Sequence, residues 1–125
     1  MKIVLDTNAL VRFFTRDIET KAQLVKKLLD SDQTLIISDV VFPELEYVLM
    51  KQYSAKREDL SDYFRFLTSK DNIKSSKEAK LAVEIFASSI LDMADCIIAA
   101  ASFGGKLASF DRDLIKVKSV QPFWK

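Results

Sequence analysis

The sequence predicts an α/β fold: a three-layer α/β/α arrangement around a central, mainly parallel sheet of four or five strands. Three observations carry this reading. Short apolar runs, Lys2-Ile3-Val4-Leu5 and Leu35-Ile36-Ile37 foremost, have the length and β-branched character of buried strands. Longer stretches between them repeat apolar residues at helical spacing. Strands separated by helices imply parallel pairing, with both faces of the sheet covered. The chain has 125 residues, 49% of them apolar and nine of them phenylalanine. That is enough to fill the core of one domain spanning residues 1–125. Two glycines and two prolines are too few for a loop-rich or disordered chain.

Residues 2–5 form the first expected strand, and residues 7–14 a short helical segment. Over residues 18–30, Ile18, Ala22, Leu24, Val25, Leu28 and Leu29 alternate with charges, the pattern of an amphipathic helix. Residues 35–37 are a second strand, after which Ser38 or Asp39 should cap a helix reaching about residue 51. Pro43 falls in its first turns, where a missing N–H is tolerated. Ser54 is expected to open the next helix, with Leu60, Tyr63, Phe64 and Leu67 on one face. Asp71-Asn72 breaks it, and Ile73 is a brief strand. Ser75 or Ser76 precedes a helix with Ala79, Ala82, Val83 and Phe86 inward. Residues 92–103 are apolar nearly all round after Asp95, the mark of a buried helix, and Gly104-Gly105 would end it. Residues 106–109 read as a strand, 110–113 as a loop, and 117–120 as a last strand.

Composition narrows the chemistry. Histidine is absent, which removes imidazole bases and the commonest zinc ligand. The single cysteine excludes an internal disulfide and suits a reducing compartment. Asp6 interrupts the N-terminal apolar run, and no apolar stretch is long enough to cross a bilayer. The expectation is a cytoplasmic protein with no membrane association. A net charge of +1 is not the footprint of a dedicated nucleic-acid binder, although a local basic patch can act beside an acidic site. Any catalytic metal must be a hard cation held by oxygen, Mg²⁺ or Mn²⁺.

Four acids stand where such a cation could be held. Asp6 follows the first strand, the end of a strand at which open α/β sheets place their chemistry. Its ordinary alternative is a helix N-cap. Glu44 sits in a helix start crowded with Val40, Val41, Phe42, Leu45, Val48 and Leu49. It is read as semi-buried and Glu46 as solvated, although helix-initial acids also serve the macrodipole. Asp92 and Asp95 are three apart, so Asp92 suits an N-cap and Asp95 its capping-box partner. The apolar run after Asp95 favours a place inside or at a cleft. Asp111 and Asp113 follow the 106–109 strand, where acids are commonly turn residues. In a parallel sheet Asp6 and Asp111 would leave strands at one edge, with Glu44 and Asp95 near helix starts at the same edge. Carboxylates gathered that closely raise one another's pKa unless a cation neutralises them. Cys96 has no histidine to activate it and is read as a core residue. Phe13, Phe14, Tyr63, Phe64, Phe66 and Phe86 recur at helical spacing and are read as core or dimer contacts.

Taken together, four motifs resemble the PIN domain, and specifically the VapC toxins of toxin–antitoxin pairs. They are Ile3-Val4-Leu5-Asp6-Thr7-Asn8, Val41-Phe42-Pro43-Glu44-Leu45, Asp92-Met93-Ala94-Asp95-Cys96-Ile97-Ile98-Ala99-Ala100-Ala101 and Leu107-Ala108-Ser109-Phe110-Asp111-Arg112-Asp113-Leu114. The resemblance covers essentially the whole chain. It implies an Mg²⁺- or Mn²⁺-dependent endoribonuclease that cleaves RNA with a metal-activated water. It further implies a homodimer inhibited by a cognate VapB-like antitoxin. The family's acids fall on Asp6, Glu44, Asp95 and Asp111, with Asp113 assisting. Asn8 matches the residue that orients the first acid, and Ser109 stands where threonine is more usual. Arg12, Arg16, Lys51, Arg112 and Lys116 are candidate RNA contacts because they lie near the motifs. Two readings stay open beside the toxin: a PIN nuclease with another cellular role, and a non-catalytic PIN-like or receiver-like binding module. A receiver needs a phosphorylatable aspartate after a central strand and a late lysine, and neither is evident. A phosphatase of the haloacid dehalogenase type also begins with an aspartate after strand one. It needs a second aspartate two positions later, where this chain has Asn8.

Overall fold

The computed structural model describes residues 1–124. The chain divides into two compact units, Met1–Ser76 and Lys77–Lys125. The first unit runs β1 (Ile3–Leu5), α1 (Thr7–Thr15), α2 (Glu19–Leu29), β2 (Leu35–Ile37), α3 (Val41–Tyr53), α4 (Arg57–Ser69) and β3 (Ile73–Lys74). The second contains α5 (Lys77–Ala87), α6 (Met93–Ala101) and α7 (Arg112–Ile115). No helix among the described residues is long and apolar enough to cross a membrane.

The first unit is α/β, with a parallel sheet in the order β1-β2-β3. Ile3 lies beside Leu35 and Leu5 beside Ile37, while Leu35 also pairs with Ile73. All three strands therefore end at one edge. Asp6 leaves β1 there and Ser38-Asp39 leaves β2. The Ser76 hydroxyl, just past β3, donates to Asp39 Oδ1 at 2.7 Å. Leu5, Leu35, Ile37 and Ile73 are buried with Leu10, Phe42, Leu45, Leu49, Leu60, Phe64 and Leu67 from the helices. α1 packs on α2 and α3, and α4 on β3. In the second unit α5 packs on α6 and α6 on α7, with Val83, Phe86, Met93, Cys96 and Ala99 fully buried.

The described residues contain three strands, not four or five. Leu107 forms only an isolated parallel bridge to Pro122, and 117–120 is a turn in which the Val120 N–H donates to the Val117 carbonyl. Apolar character at Leu107 and Val117 reflects burial or half-burial without a ladder to extend. Two helix starts also move. Ser38 and Asp39 do not cap α3, because Val40 holds that place and Asp39 is taken by Ser76. Ser54 ends α3 in the left-handed region at φ 55, and Lys56 precedes α4. α6 stops at Ala101, capped by Ser102 rather than by glycine, and Gly104 takes φ 86 in the turn beyond. Nor is α6 buried all round: Met93, Cys96, Ala99 and Ala100 face inward, while Ile98 is 46% exposed. Cys96 is a fully buried thiol, outside any disulfide, in contact with the Leu91 carbonyl, the packing role expected of it.

Candidate active site

Asp6 occupies the N-cap position of α1 with extended backbone angles, yet its side chain makes no capping hydrogen bond. The ordinary reason for an aspartate at this place is therefore unused, and the carboxylate is exposed. It lines a cavity of about 650 Å³ with Asn8, Arg12, Glu44 and Tyr53. Asp6 and Glu44, expected to lie together, do so within the first unit.

Glu44 comes from the first turn of α3. Its expected semi-burial is corrected: Glu44 is exposed, and Glu46 is the buried acid at 9% exposure. Helical geometry explains the exchange. Phe42, Leu45, Glu46 and Leu49 follow the i, i+3, i+4, i+7 stripe that faces the core, and Glu44 stands off it. Glu44 is instead held by Thr7, whose hydroxyl donates to Glu44 Oε1 at 2.7 Å. The sequence reading missed Thr7. Its signal was present, since Thr7, Leu10 and Val11 share the inward face of α1. Thr7→Val keeps the shape and removes the donor, so it is expected to lower stability by about 1 kcal/mol in urea unfolding. An unchanged midpoint would mean that the bond has no net worth.

Arg12 also lines this cavity. Its guanidinium Nη1 contacts Asp17 Oδ2 at 2.6 Å and the Tyr53 hydroxyl at 3.3 Å, and Tyr53 donates to the same Asp17 oxygen at 2.7 Å. The Tyr53 hydrogen bond, more than any other contact, holds the Asp17 carboxyl below its usual range. Arg12 Nε is buried without a partner. Of the other candidate cations, Arg16 is engaged by Glu19, and Lys51 is exposed away from the cavity lining.

The second unit holds the other pair. Asp92 caps α6 by accepting the Asp95 N–H at 2.9 Å, as expected. Asp95 does not complete a capping box, so its half-buried carboxylate is left uncommitted. Burial, then the charges of Asp92 and Asp111, push its carboxyl above the usual range. Asp111 precedes α7, and its Oδ1 accepts the N–H groups of Asp113 at 3.0 Å and Leu114 at 3.1 Å. The turn role is thus real for one oxygen of Asp111. Ser109 fixes the approach, its hydroxyl accepting the Asp111 N–H at 3.0 Å. Asp113 is exposed and lines a different cavity, of about 680 Å³, beside Lys116 and Val117.

The acids thus stand as two pairs, Asp6 with Glu44 and Asp95 with Asp111. Among the described residues no group of three or more such side chains is poised around one point. The donors are all carboxylate oxygens, with no histidine and only a buried thiol. That chemistry fits a hard divalent ion, and Mg²⁺ is commonly held by one or two carboxylates with water filling the rest.

The family model described as PIN domain matches residues 3–120. No curated protein matches the chain.

Proposed function

The chain belongs to the PIN domain family, whose members are generally nucleases, and on that premise we propose that it is a divalent-metal-dependent endoribonuclease acting as the toxin of a VapBC-type pair. The observation that carries the reading is the pair of idle carboxylates at helix starts. Asp6 and Asp95 sit where acids normally cap, and neither side chain makes a capping bond. The match also runs through both compact units, which supports one domain over the whole chain.

In this reading, which follows the family resemblance, Asp6 and Asp95 are the principal ligands for Mg²⁺ or Mn²⁺, with Glu44 and Asp111 assisting directly or through water. Asp111 takes precedence over Asp113, which lines a different cavity beside Lys116. When bound, the ion lowers the pKa of water and offsets charge on the phosphoryl group. Thr7 fixes the Glu44 carboxylate, and Ser109 and the α7 amides fix Asp111. Arg12, anchored by Asp17 and Tyr53, offers its remaining N–H donors to the RNA backbone. Hydrolysis breaks the P–O3′ bond and leaves 5′-phosphate and 3′-hydroxyl ends. The half-buried rings of Phe13, Phe14, Tyr63 and Phe66, with Phe14 and Tyr63 stacked at 4.2 Å, are proposed as the homodimer contact. A VapB-like antitoxin would inhibit by binding near the acids.

The test is RNA cleavage in Mg²⁺. Asp6→Asn is expected to lose activity by at least roughly 100-fold, since even residues behind metal ligands commonly matter 10–100-fold. Equal activity in the two proteins overturns the assignment. Mn²⁺ calorimetry checks that the acids act together: either Asp6→Asn or Asp95→Asn alone should abolish binding, and a surviving half of the sites would mean two independent ones.

A further inference from the structure

Phe110, Phe123 and Trp124 form an exposed aromatic cluster that the nuclease reading leaves unused. Phe110 and Trp124 are stacked with centroids 4.7 Å apart and planes 3° from parallel, and Phe123 meets Trp124 edge-on at 5.4 Å. Phe110 is 83% exposed, Phe123 58% and Trp124 49%. Large rings in water need a reason, and here the backbone holds them out. The Leu107 N–H donates to the Gln121 carbonyl at 2.7 Å, and the Phe123 N–H to the Leu107 carbonyl at 2.8 Å. These bonds lay the 121–124 segment beside 107–110 and set Trp124 behind Phe110. The outer face of Phe110 is left open.

Cations outnumber acids around Phe110, although Asp111 and Asp113 are exposed beside it. Lys106, Arg112, Lys116 and Lys118 are exposed in the same stretch. None of these four cations forms an ion pair among the described residues. Open ring faces flanked by unpaired cations are the combination that binds single-stranded nucleic acid, rings for bases and cations for phosphates. Phe110 directly precedes Asp111, so the two Cα atoms are about 3.8 Å apart.

We infer that the Phe110–Trp124 stack is a platform for an unpaired nucleobase of the RNA substrate, next to the nucleotide served by Asp111. The inference rests on the ribonuclease reading for the identity of its ligand. It predicts a preference for single-stranded over duplex RNA, because a base must leave its own stack to lie on Phe110.

Trp124 is the only tryptophan, so it reports on the stack directly. A short single-stranded RNA, titrated with excess EDTA to prevent cleavage, should quench Trp124 fluorescence. An abasic oligonucleotide of equal length and charge should bind at least fivefold more weakly and leave the emission unchanged. Phe110→Ala should weaken RNA binding about tenfold, within the range found for single base–aromatic stacks, and raise KM for cleavage more than it lowers kcat. Its exposed position predicts an unaltered melt. Equal quenching by the abasic strand, no quenching at all, or Phe110→Ala binding RNA like wild type overturns the platform. So does a change in emission on raising protein concentration alone, which assigns the rings to self-association. Quenching without cleavage in Mn²⁺ would retain the platform and reject the nuclease. Cleavage with wild-type KM in Phe110→Ala would do the reverse.

Discussion

Asp95→Asn is expected to raise the melting temperature of the metal-free protein by a few degrees at neutral pH, and to lower RNA cleavage at least roughly 100-fold. The two effects share one cause. Asp95 is opposed in its charged form by burial, by Asp92 and by Asp111. The start of α6 favours a negative charge, a contribution of about 0.3–1 kcal/mol in exposed helices. The carboxyl nevertheless sits above its ordinary range, so the opposing effects win. A carboxyl that holds its proton more tightly folded than unfolded makes ionisation costly to the fold. Stability from this group is therefore lost as pH rises through the raised folded value. The gain from Asp95→Asn should accordingly be absent near about pH 3, where the carboxyl is protonated in both states, and present at neutral pH. Mn²⁺ should invert the order. A ligand at 100 times its dissociation constant stabilises by about 2.7 kcal/mol, and only the wild type retains the ligand set. Thermal melts at two pH values, with and without Mn²⁺, decide the matter. A metal-free variant less stable than wild type at neutral pH, with equal response to Mn²⁺, would remove Asp95 from the site.

Such a group is only partly visible in a sequence. The strand at Ile3–Leu5, the cap at Asp92 and the burial of Cys96 could be read because each depends on neighbours a few residues away. The same holds for the four longest helices, α2 to α5, whose stripes are periodic. The strand at 106–109 failed for the opposite reason. A ladder needs a partner, and only Leu107 finds one, at Pro122. The exchange of Glu44 with Glu46 was legible in principle. The apolar neighbours of Glu44 lie on more than one side of the helix, and the inward stripe Phe42, Leu45, Leu49 passes through position 46, not 44. Asp39 and Ser76, 37 residues apart, could not have been paired from the sequence, nor could Phe110 and Trp124. The acids themselves were legible as residues, and their chemistry as oxygen-only ligands followed from the absence of histidine. Which of their oxygens are idle, and which are spent on caps, is a matter of coordinates.

Phe42→Ala is expected to cost about 3–5 kcal/mol, the usual range for a buried phenylalanine, against a total domain stability of about 5–15 kcal/mol. Phe42 is fully buried in the first turn of α3, its ring 5.6 Å from that of Phe64 and inclined at 63°. Truncation removes the transfer energy of the ring and leaves a void that Phe64 and Leu45 cannot close without moving α3. The melting temperature should fall by about 10 °C or more. The effect reaches the acids because Glu44 stands two residues further on, and its bond to Thr7 needs α3 in place. Cleavage per folded molecule should therefore drop as well, measured well below the new midpoint. Phe42→Leu, which keeps most of the volume, should recover much of both. Phe110→Ala supplies the contrast: the same chemical change at an 83% exposed ring should shift stability by no more than about 0.5 kcal/mol. If urea midpoints put the two alanine variants within 1 kcal/mol of each other, as an order of magnitude, then the burial of Phe42 does not hold α3 in place. The tether from Thr7 to Glu44 would then have to be supported by some other part of the first unit.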